Sequence, residues 1–435
     1  MNPASTAPMP VRRRLSSRWL ARASALLALV VLPAAHAGYF NWDMVELPPE
    51  SGASCGNGTP YRFFVNRTPL NHNVSLTFEG GGACWDQDAC EGKGPYSASN
   101  PNGIPPDYMH SLQTMAAGGL VTPFTSRLDP FQKVRTQDWT MVYLPYCTGD
   151  VHAGSKVSVY DDVDPSAPRV QHHAGLANIR AAASWLRSNL GRADDLLVGG
   201  FSAGGVGSTV NYATVRDTLA PKGKSTLLAD SGPLFNAPRA STTSSTQYPS
   251  LPLHQKIRPA WGLDEPGGMI PRLAARLPAL DVNNLGSLNT GLARAYPQDR
   301  FGYLAFETDN VFSGFSYLDF HPEVHASDPE VQKQLVNQLW RTDLANWLPT
   351  LAAEANVDYH VPFFRDFNDA HCLSIVDFSG TGVEELGVAS VLPFFDNLMD
   401  RGPVQRNYET DQVSDLSQTL SPIIQLLNWL ENLFV

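Results

Sequence analysis

The chain predicts an α/β fold: a mainly parallel central sheet flanked by helices, with long loop and cap insertions. Three observations carry that expectation. Short apolar runs alternate with helix-period stretches from Val74 onward, the order that a parallel sheet with crossover helices requires. One apolar run, Leu196-Leu197-Val198, passes straight into Gly199-Gly200-Phe201-Ser202-Ala203-Gly204-Gly205 and then into a helical pattern over 206–215. A composition of 43% hydrophobic and 17% charged residues supports a sizeable core. With no internal repeat, one domain over 38–435 is expected, carrying insertions at about 91–133 and 236–292.

The first 37 residues read as a cleaved secretory leader. Arg12, Arg13, Arg14, Arg18 and Arg22 precede an apolar run over 25–34, and Ala35-His36-Ala37 sets small residues where a signal peptidase reads. That run is too short for a stable membrane anchor. Arg12-Arg13-Arg14-Leu15 matches a twin-arginine export signal only loosely. Loss of the leader removes five Arg and no acid, taking the formal charge from −11 to −16 (−11 − 5). A chain that acidic repels nucleic acid and anionic lipid, and also a polyanionic polysaccharide unless a local basic patch compensates. The expected location is secreted or periplasmic, and the expected state monomeric.

After a loop over 38–58, strands are expected at 61–66 and 74–78. The second ends in Glu79-Gly80-Gly81-Gly82-Ala83-Cys84-Trp85. A Gly triplet weakens a strand, so it marks either a tight bend or a backbone kept bare for a substrate oxygen. Residues 91–133 form a partly helical surface insertion. A strand at 139–144 ends in Pro145-Tyr146-Cys147-Thr148-Gly149-Asp150, and 171–190 has helical spacing through Leu176, Ile179, Ala183 and Leu186. The strand at 225–229 ends in Asp230-Ser231-Gly232-Pro233. A polar loop follows over 236–250, then a mixed region over 253–292 that reads as a lid. A strand at 300–306 ends in Glu307-Thr308-Asp309-Asn310. Ser327-Asp328-Pro329-Glu330 caps a helix running through Leu335, Leu339, Trp340 and Leu344. A strand at 359–364 leads to Arg365-Asp366-Phe367-Asn368-Asp369-Ala370-His371-Cys372, and 422–434 is an amphipathic helix expected to pack on the body.

Five Cys in an exported chain leave one unpaired. Cys84 with Cys90 is the first expected pair and Cys55 with Cys147 the second; no Cys-x-x-Cys spacing marks a zinc or redox site.

Parallel sheets place their chemistry at the carboxyl ends of strands, and four such ends here hold the Gly triplet, Ser202, Asp309 and His371. Gly200-Phe201-Ser202-Ala203-Gly204 is a Gly-x-Ser-x-Gly turn, in which small neighbours let a strained Ser stand exposed. The order of the four is that of an α/β-hydrolase-like site. Ser202 needs a base, and His371, in a loop of small and polar residues beyond a strand, is the candidate. His360 lies within a strand, and His172 and His173 open a helix. For the acid the choice is Asp309; Glu307 and Asp230 are alternatives, Asp230 reading better as a turn-former. The oxyanion donors expected are the N–H groups of Gly81, Gly82 and Ala203. His321-Pro322-Glu323-Val324-His325 lacks the adjacent Glu and the third ligand of a zinc helix, so neither metal nor cofactor is expected.

These segments together resemble the pectin acetylesterase and Notum family of carboxylesterases. The matching stretches are Glu79 to Trp85, Pro145 to Asp150, Phe201 to Gly205, Asp230-Ser231-Gly232 and His371-Cys372. The resemblance implies a triad of Ser202, an acid near Asp309, and His371, with Gly81, Gly82 and Ala203 as oxyanion loop. The expected activity is a secreted serine carboxylesterase acting on short acyl esters, with acetyl esters of a polysaccharide such as pectin leading. A lipase or polyester depolymerase, a protein O-deacylase, and a non-catalytic binding protein on a hydrolase scaffold are the alternatives.

Overall fold

Eleven strands form among the described residues, seven where the buried apolar runs lie and four, at 43–46, 156–160, 169–173 and 406–408, outside that pattern. They are β1 (Asp43–Glu46), β2 (Arg62–Asn66), β3 (Val74–Phe78), β4 (Thr140–Leu144), β5 (Lys156–Tyr160), β6 (Arg169–His173), β7 (Leu196–Phe201), β8 (Ser225–Asp230), β9 (Arg300–Leu304), β10 (Val357–Val361) and β11 (Arg406–Tyr408). The computed structural model describes residues 41–110, 122–127, 132–240, 242–410 and 420–431. The expected leader lies outside them, as do parts of the 91–133 insertion. Trp42–Val435 clusters as one unit.

Among the described residues, nine strands form one sheet in the order β1-β2-β4-β3-β7-β8-β9-β10-β11. From β4 to β11 every pairing is parallel, while β2 runs antiparallel to both β1 and β4. The central strands are buried on both faces, as parallel strands under helices must be. Alternation divides them between two cores. Leu196, Val198, Leu227 and Ala229 join the larger one, and Leu197 and Leu228 the smaller. On the larger side lie α1 (Gly175–Leu190) and α2 (Ala203–Leu219); α2 packs on β7 and β8, and α1 packs on α2. The insertion between β8 and β9 includes α3 (Leu251–Ala260), and α4 (Asn310–Tyr317) follows β9. Next comes α5 (Pro329–Ala352), whose N-cap is Asp328: its carboxylate accepts the Glu330 N–H, with Pro329 at the first position. Phe394, Phe395 and Leu398 of α6 (Val391–Asp400) fill the smaller core.

The structure corrects several expectations. Residues 43–46 form an edge strand, because the pairing of Met44 with Phe64 extends the sheet where a loop was expected. Residues 169–173 belong to β6, paired antiparallel with β5. The helix expected from 171 therefore starts at Gly175, and His172 and His173 end a strand. The last strand of the sheet is β11, beyond the His371 loop. The helix Pro422–Glu431 buries Ile424 but leaves Ile423, Leu426 and Trp429 exposed.

Both expected disulfides form, Cys55–Cys147 and Cys84–Cys90, and Cys372 is a buried free thiol. Among the described residues no helix is long and apolar enough to cross a membrane. The first bridge spans 92 residues and the second six, so the unfolded chain gains far more freedom when the first is lost. Chain-entropy arithmetic gives about 4–5 kcal/mol for the longer loop and about 2 kcal/mol for the shorter. Urea unfolding of the two Cys→Ser double variants should show that ranking; equal losses would contradict it.

Candidate active site

The site is built where backbone meets backbone. Ser202 ends β7 with φ +57° and ψ −126°, a conformation that costs a side-chain-bearing residue about 1–3 kcal/mol. It is sustained by neighbours without side chains. A Cβ at Gly80 would fall 2.7 Å from the Phe201 carbonyl oxygen and 2.8 Å from Ser202 Cβ. One at Gly204 would overlap the Phe78 carbonyl and lie 2.7 Å from that of Glu79. The Ser202 N–H donates to the Asp230 carbonyl at 2.9 Å. Ser202 is half-buried, while Phe201 before it and Ala203 after it are buried.

The Gly loop turns through φ +133° at Gly81 and +61° at Gly82. At Gly82 any side chain would run into the Tyr96 and Ser97 carbonyls. The N–H groups of Gly81 and Gly82 donate to no acceptor among the described residues. Ala203 is the first residue of α2, so its N–H has no intrahelical acceptor. These are the three donors named from sequence. Two buried residues hold the loop from behind. His152 Nε2 sits 2.9 Å from the Glu79 carbonyl, and burial lowers its pKa to about 4. The Glu79 carboxyl accepts from Tyr108 Oη at 2.6 Å and from the Tyr146 N–H at 2.7 Å. Burial raises its pKa to about 7 against those hydrogen bonds.

Asp309 does two jobs. One carboxylate oxygen caps α4 by accepting the Val311 and Phe312 N–H groups; the other lies 2.8 Å from His371 Nδ1. Both residues are buried. His371 Nε2 is buried without a hydrogen-bond partner, so no hydrogen bond joins it to Ser202 Oγ. The loop bearing His371 is tied by its backbone to the end of β8. Cys372 N–H donates to Ser231 Oγ at 2.9 Å, and Leu373 and Ser374 N–H donate to the Asp230 carboxylate at 3.0 and 2.8 Å. Arg365, also buried, donates to the Cys372 carbonyl at 2.6 Å; burial lowers its pKa to about 10, with Asp230 and Asp377 opposing. The Cys372 side chain packs with Phe201 and Ile375.

The other candidates separate from this cluster. Glu307 is committed to Arg341, 2.8 Å from its Nε. Asp230 anchors the His371 loop, a larger task than forming its own turn. His360 is fixed between the Thr381 carbonyl and Asn407. His321 is held by Glu323 and the Pro249 carbonyl. Cys84, Cys90 and His173 come together, but the two sulfurs are bonded to each other. Sequence reasoning does not reach Tyr96, which has φ +61°. Its carbonyl takes the Ala83 N–H and its hydroxyl lies against Gly314 of α4, so it joins the Gly loop to the helix capped by Asp309. Nothing in the residues around it signals that role.

The sheet order, the strand-end turn at Ser202 and the Asp309–His371 pair define the fold as that of an α/β-hydrolase. The sequence profile of the pectinacetylesterase family matches residues 34–256. Palmitoleoyl-protein carboxylesterase NOTUM of Mus musculus is 24% identical over 188 residues, 42% of this chain and 34% of that protein. Palmitoleoyl-protein carboxylesterase notum1a of Danio rerio has the same identity and coverage. The chain thus spans about a third of the length of these relatives. Two crystal forms of the Wnt deacylase Notum from Drosophila share the fold. The first has TM-score 0.51 and 17% identity, covering 85% of this chain and 97% of that one; the second has 0.51 and 16%, covering 86% and 96%. The chain belongs to the pectinacetylesterase family, a family of carboxylic ester hydrolases.

The Glu79 carboxyl yields a pH prediction. In the fold it keeps its proton up to about pH 7, whereas an unfolded Glu loses it near 4.3. Between those values the native state holds the extra proton, so stability falls as pH rises from about 4 to about 7. Glu79→Gln should remove that share, on the order of 3 kcal/mol. Denaturant midpoints at pH 5 and pH 8 should differ less in the variant than in the parent; equal differences would contradict the assignment.

Proposed function

We propose that the chain hydrolyses short-chain acyl esters through Ser202, His371 and Asp309. The observation that carries the reading is the buried Asp309–His371 hydrogen bond, with the three residues after His371 pinned to Asp230 and Ser231 at the end of β8. Asp309 accepts a hydrogen bond from the Nδ1–H of His371, which fixes the tautomer and leaves Nε2 as the acceptor for the Ser202 proton. In the free enzyme such a catalytic hydrogen bond is often open and closes in the substrate complex. Ser202 Oγ attacks the ester carbonyl carbon as its proton passes to Nε2, and Asp309 stabilises the imidazolium. The tetrahedral oxyanion accepts from Gly81, Gly82 and Ala203, each such donor being worth roughly a hundred- to a thousand-fold in rate. His371 then protonates the leaving alcohol, and water activated by the same imidazole releases the acid.

The leading substrate is an acetyl ester on a carbohydrate. Trp85, three residues past the Gly loop, packs against Phe315 and Phe320 with ring centroids 5.4 and 5.5 Å apart. This half-buried aromatic surface suits an acyl methyl or the apolar face of a sugar. Two disulfides fit an oxidising compartment, consistent with secretion by way of the leader.

Ser202→Ala should reduce hydrolysis of acetyl and butyryl nitrophenyl esters by at least about a thousand-fold, and Asp309→Asn by about ten-thousand-fold. Glu307→Gln should leave kcat/KM within a few-fold. Full activity in Ser202→Ala would remove the mechanism, and a collapse in Glu307→Gln would move the acid. Fluorophosphonate labelling at Ser202 separates the enzyme from a binding protein on the same scaffold. An acyl chain-length profile peaking at long chains would favour a lipase or deacylase.

A further inference from the structure

The β5–β6 hairpin is built inside out. An antiparallel pair on the surface ordinarily turns its apolar face to the core and its polar face to water. Here the face turned to the body is polar. Ser158 Oγ donates to the Ala260 carbonyl at 2.8 Å and Gln171 Nε2 to the Thr148 carbonyl at 3.0 Å. His173 Nδ1 lies 3.1 Å from that same carbonyl. The alternate residues therefore stand outside: Val157, Val159 and Val170 keep 56%, 59% and 47% of their surface exposed. Val159 faces Val170 across the ladder and Val157 faces His172, so the valines form one stripe. Val163, at the tip, is exposed as well. β-Branched side chains on a pleat pack well against a second pleated surface, and two strands with one face uncovered are marginal by themselves.

Charge is polarised along the same hairpin. Its tip carries Asp161, Asp162 and Asp164, all exposed. Asp162 accepts the Gln87 N–H and Asp164 the Ser166 N–H, while Asp161 has no partner among the described residues. Arg169, also at that end, is spent inward on Gln171 and the Pro101 carbonyl. At the base, Arg180 of α1 and Arg272 border Val157 and His172. Both are exposed surface side chains, and neither meets a carboxylate among the described residues; Lys156 beside them is already paired with Glu265. Five residues of strand separate tip from base, about 17 Å. A partner of one charge sign would be repelled at one of the two ends. A second hairpin, turned by a two-fold axis through the valine stripe, sets each acidic tip over the other's basic base. From this we infer that two copies of the chain associate face to face through their β5–β6 hairpins, in place of the monomer expected from sequence. The stripe is small beside the about 800 Å² per partner of a standard interface, so the dimer forms reversibly with concentration. None of these residues belongs to the proposed triad or oxyanion loop, and the inference is independent of the esterase reading.

The test is sedimentation velocity of the full chain over about a hundred-fold range of concentration, which should show a monomer–dimer equilibrium. Val159→Lys sets two ammonium groups together near the axis and should weaken the dimer at least about ten-fold. Leu386→Lys, at an equally exposed apolar residue outside the hairpin, should leave it unchanged. Asp161→Lys should weaken association, and Asp161→Lys combined with Arg180→Glu should recover it, which mere damage to the hairpin would not do. Under oxidation Val159→Cys should cross-link as a dimer and Leu386→Cys should not. Melting temperatures at the lowest concentration should match the parent; should Val159→Lys melt early, Val170→Lys replaces it. A chain monomeric at every concentration, a dimer indifferent to the valine variants, growth beyond two copies, or no recovery in the charge swap would overturn the assignment. So would neutral phosphatidylcholine vesicles that bind the parent monomer but not Val159→Lys, since the stripe would then belong to a lipid surface.

Discussion

Three stretches of main chain touch at Ser202 with no side chain between them: the loop after β3, the turn from β7 into α2, and the end of β8. Gly80 lies on Ser202, Gly204 on the Phe78 and Glu79 carbonyls, and a Cβ at Gly232 would overlap the Ser202 carbonyl. Packing this close is what lets a serine hold a positive φ, because the strain is opposed by hydrogen bonds and contacts on every side. It also decides the direction in which free N–H groups point. Those of Gly81 and Gly82 lie beyond the last β3–β7 pair, Phe78 with Gly200, and have no acceptor among the described residues.

The imidazole is brought to this contact by a different means. The loop after β10 contains Asn368, Asp369, Ala370 and Cys372 at positive φ, a costly conformation. It is held locally by the Ala370 and His371 N–H groups, which donate to the Phe367 and Asn368 carbonyls. It is held from β8 by Asp230 and Ser231, which accept three consecutive N–H groups, and by the buried Arg365. Asp309 is held in turn by the helix it caps. Ser202, His371 and Asp309 are thus positioned by main-chain hydrogen bonds to the sheet and to α4.

What could be read in advance follows from the range of each interaction. The strands β4, β7 and β8 are legible as apolar runs and β3 as an alternation of Val74, Leu76 and Phe78 with Ser75 and Thr77, and their ends fall within a residue of the pattern. Ser202 is legible because it directly follows such a strand, and Asp309 and His371 because they lie in the loops that follow β9 and β10. The β5–β6 hairpin is not, since its short Val157, Val159 and Val170 face is exposed and its inner face is polar. Without an apolar alternation, His172 and His173 merge with the helical spacing that follows. The work of Asp230 is equally hidden. Its partners are main-chain N–H groups 143 and 144 residues away, which no side-chain pattern records. Tyr96 belongs to the same class, joining two loops through its own carbonyl.

Three of the buried carboxyls share one physical role. Glu79 holds Tyr146 and Tyr108; Asp150 holds Gly154, Gly175 and Thr148; Asp343 holds Ser250 and Tyr317. Among the described residues none of the three is matched with a buried cation. Burial raises the pKa of Glu79 and Asp343 to about 7 and that of Asp150 to about 6. A loop rich in glycine cannot be held by its own side chains, so it must be held by acceptors reaching from below. A carboxylate supplies several such acceptor sites in one residue. Glu79 accepts the Tyr146 N–H in this way, and Asp150 those of Gly154 and Gly175.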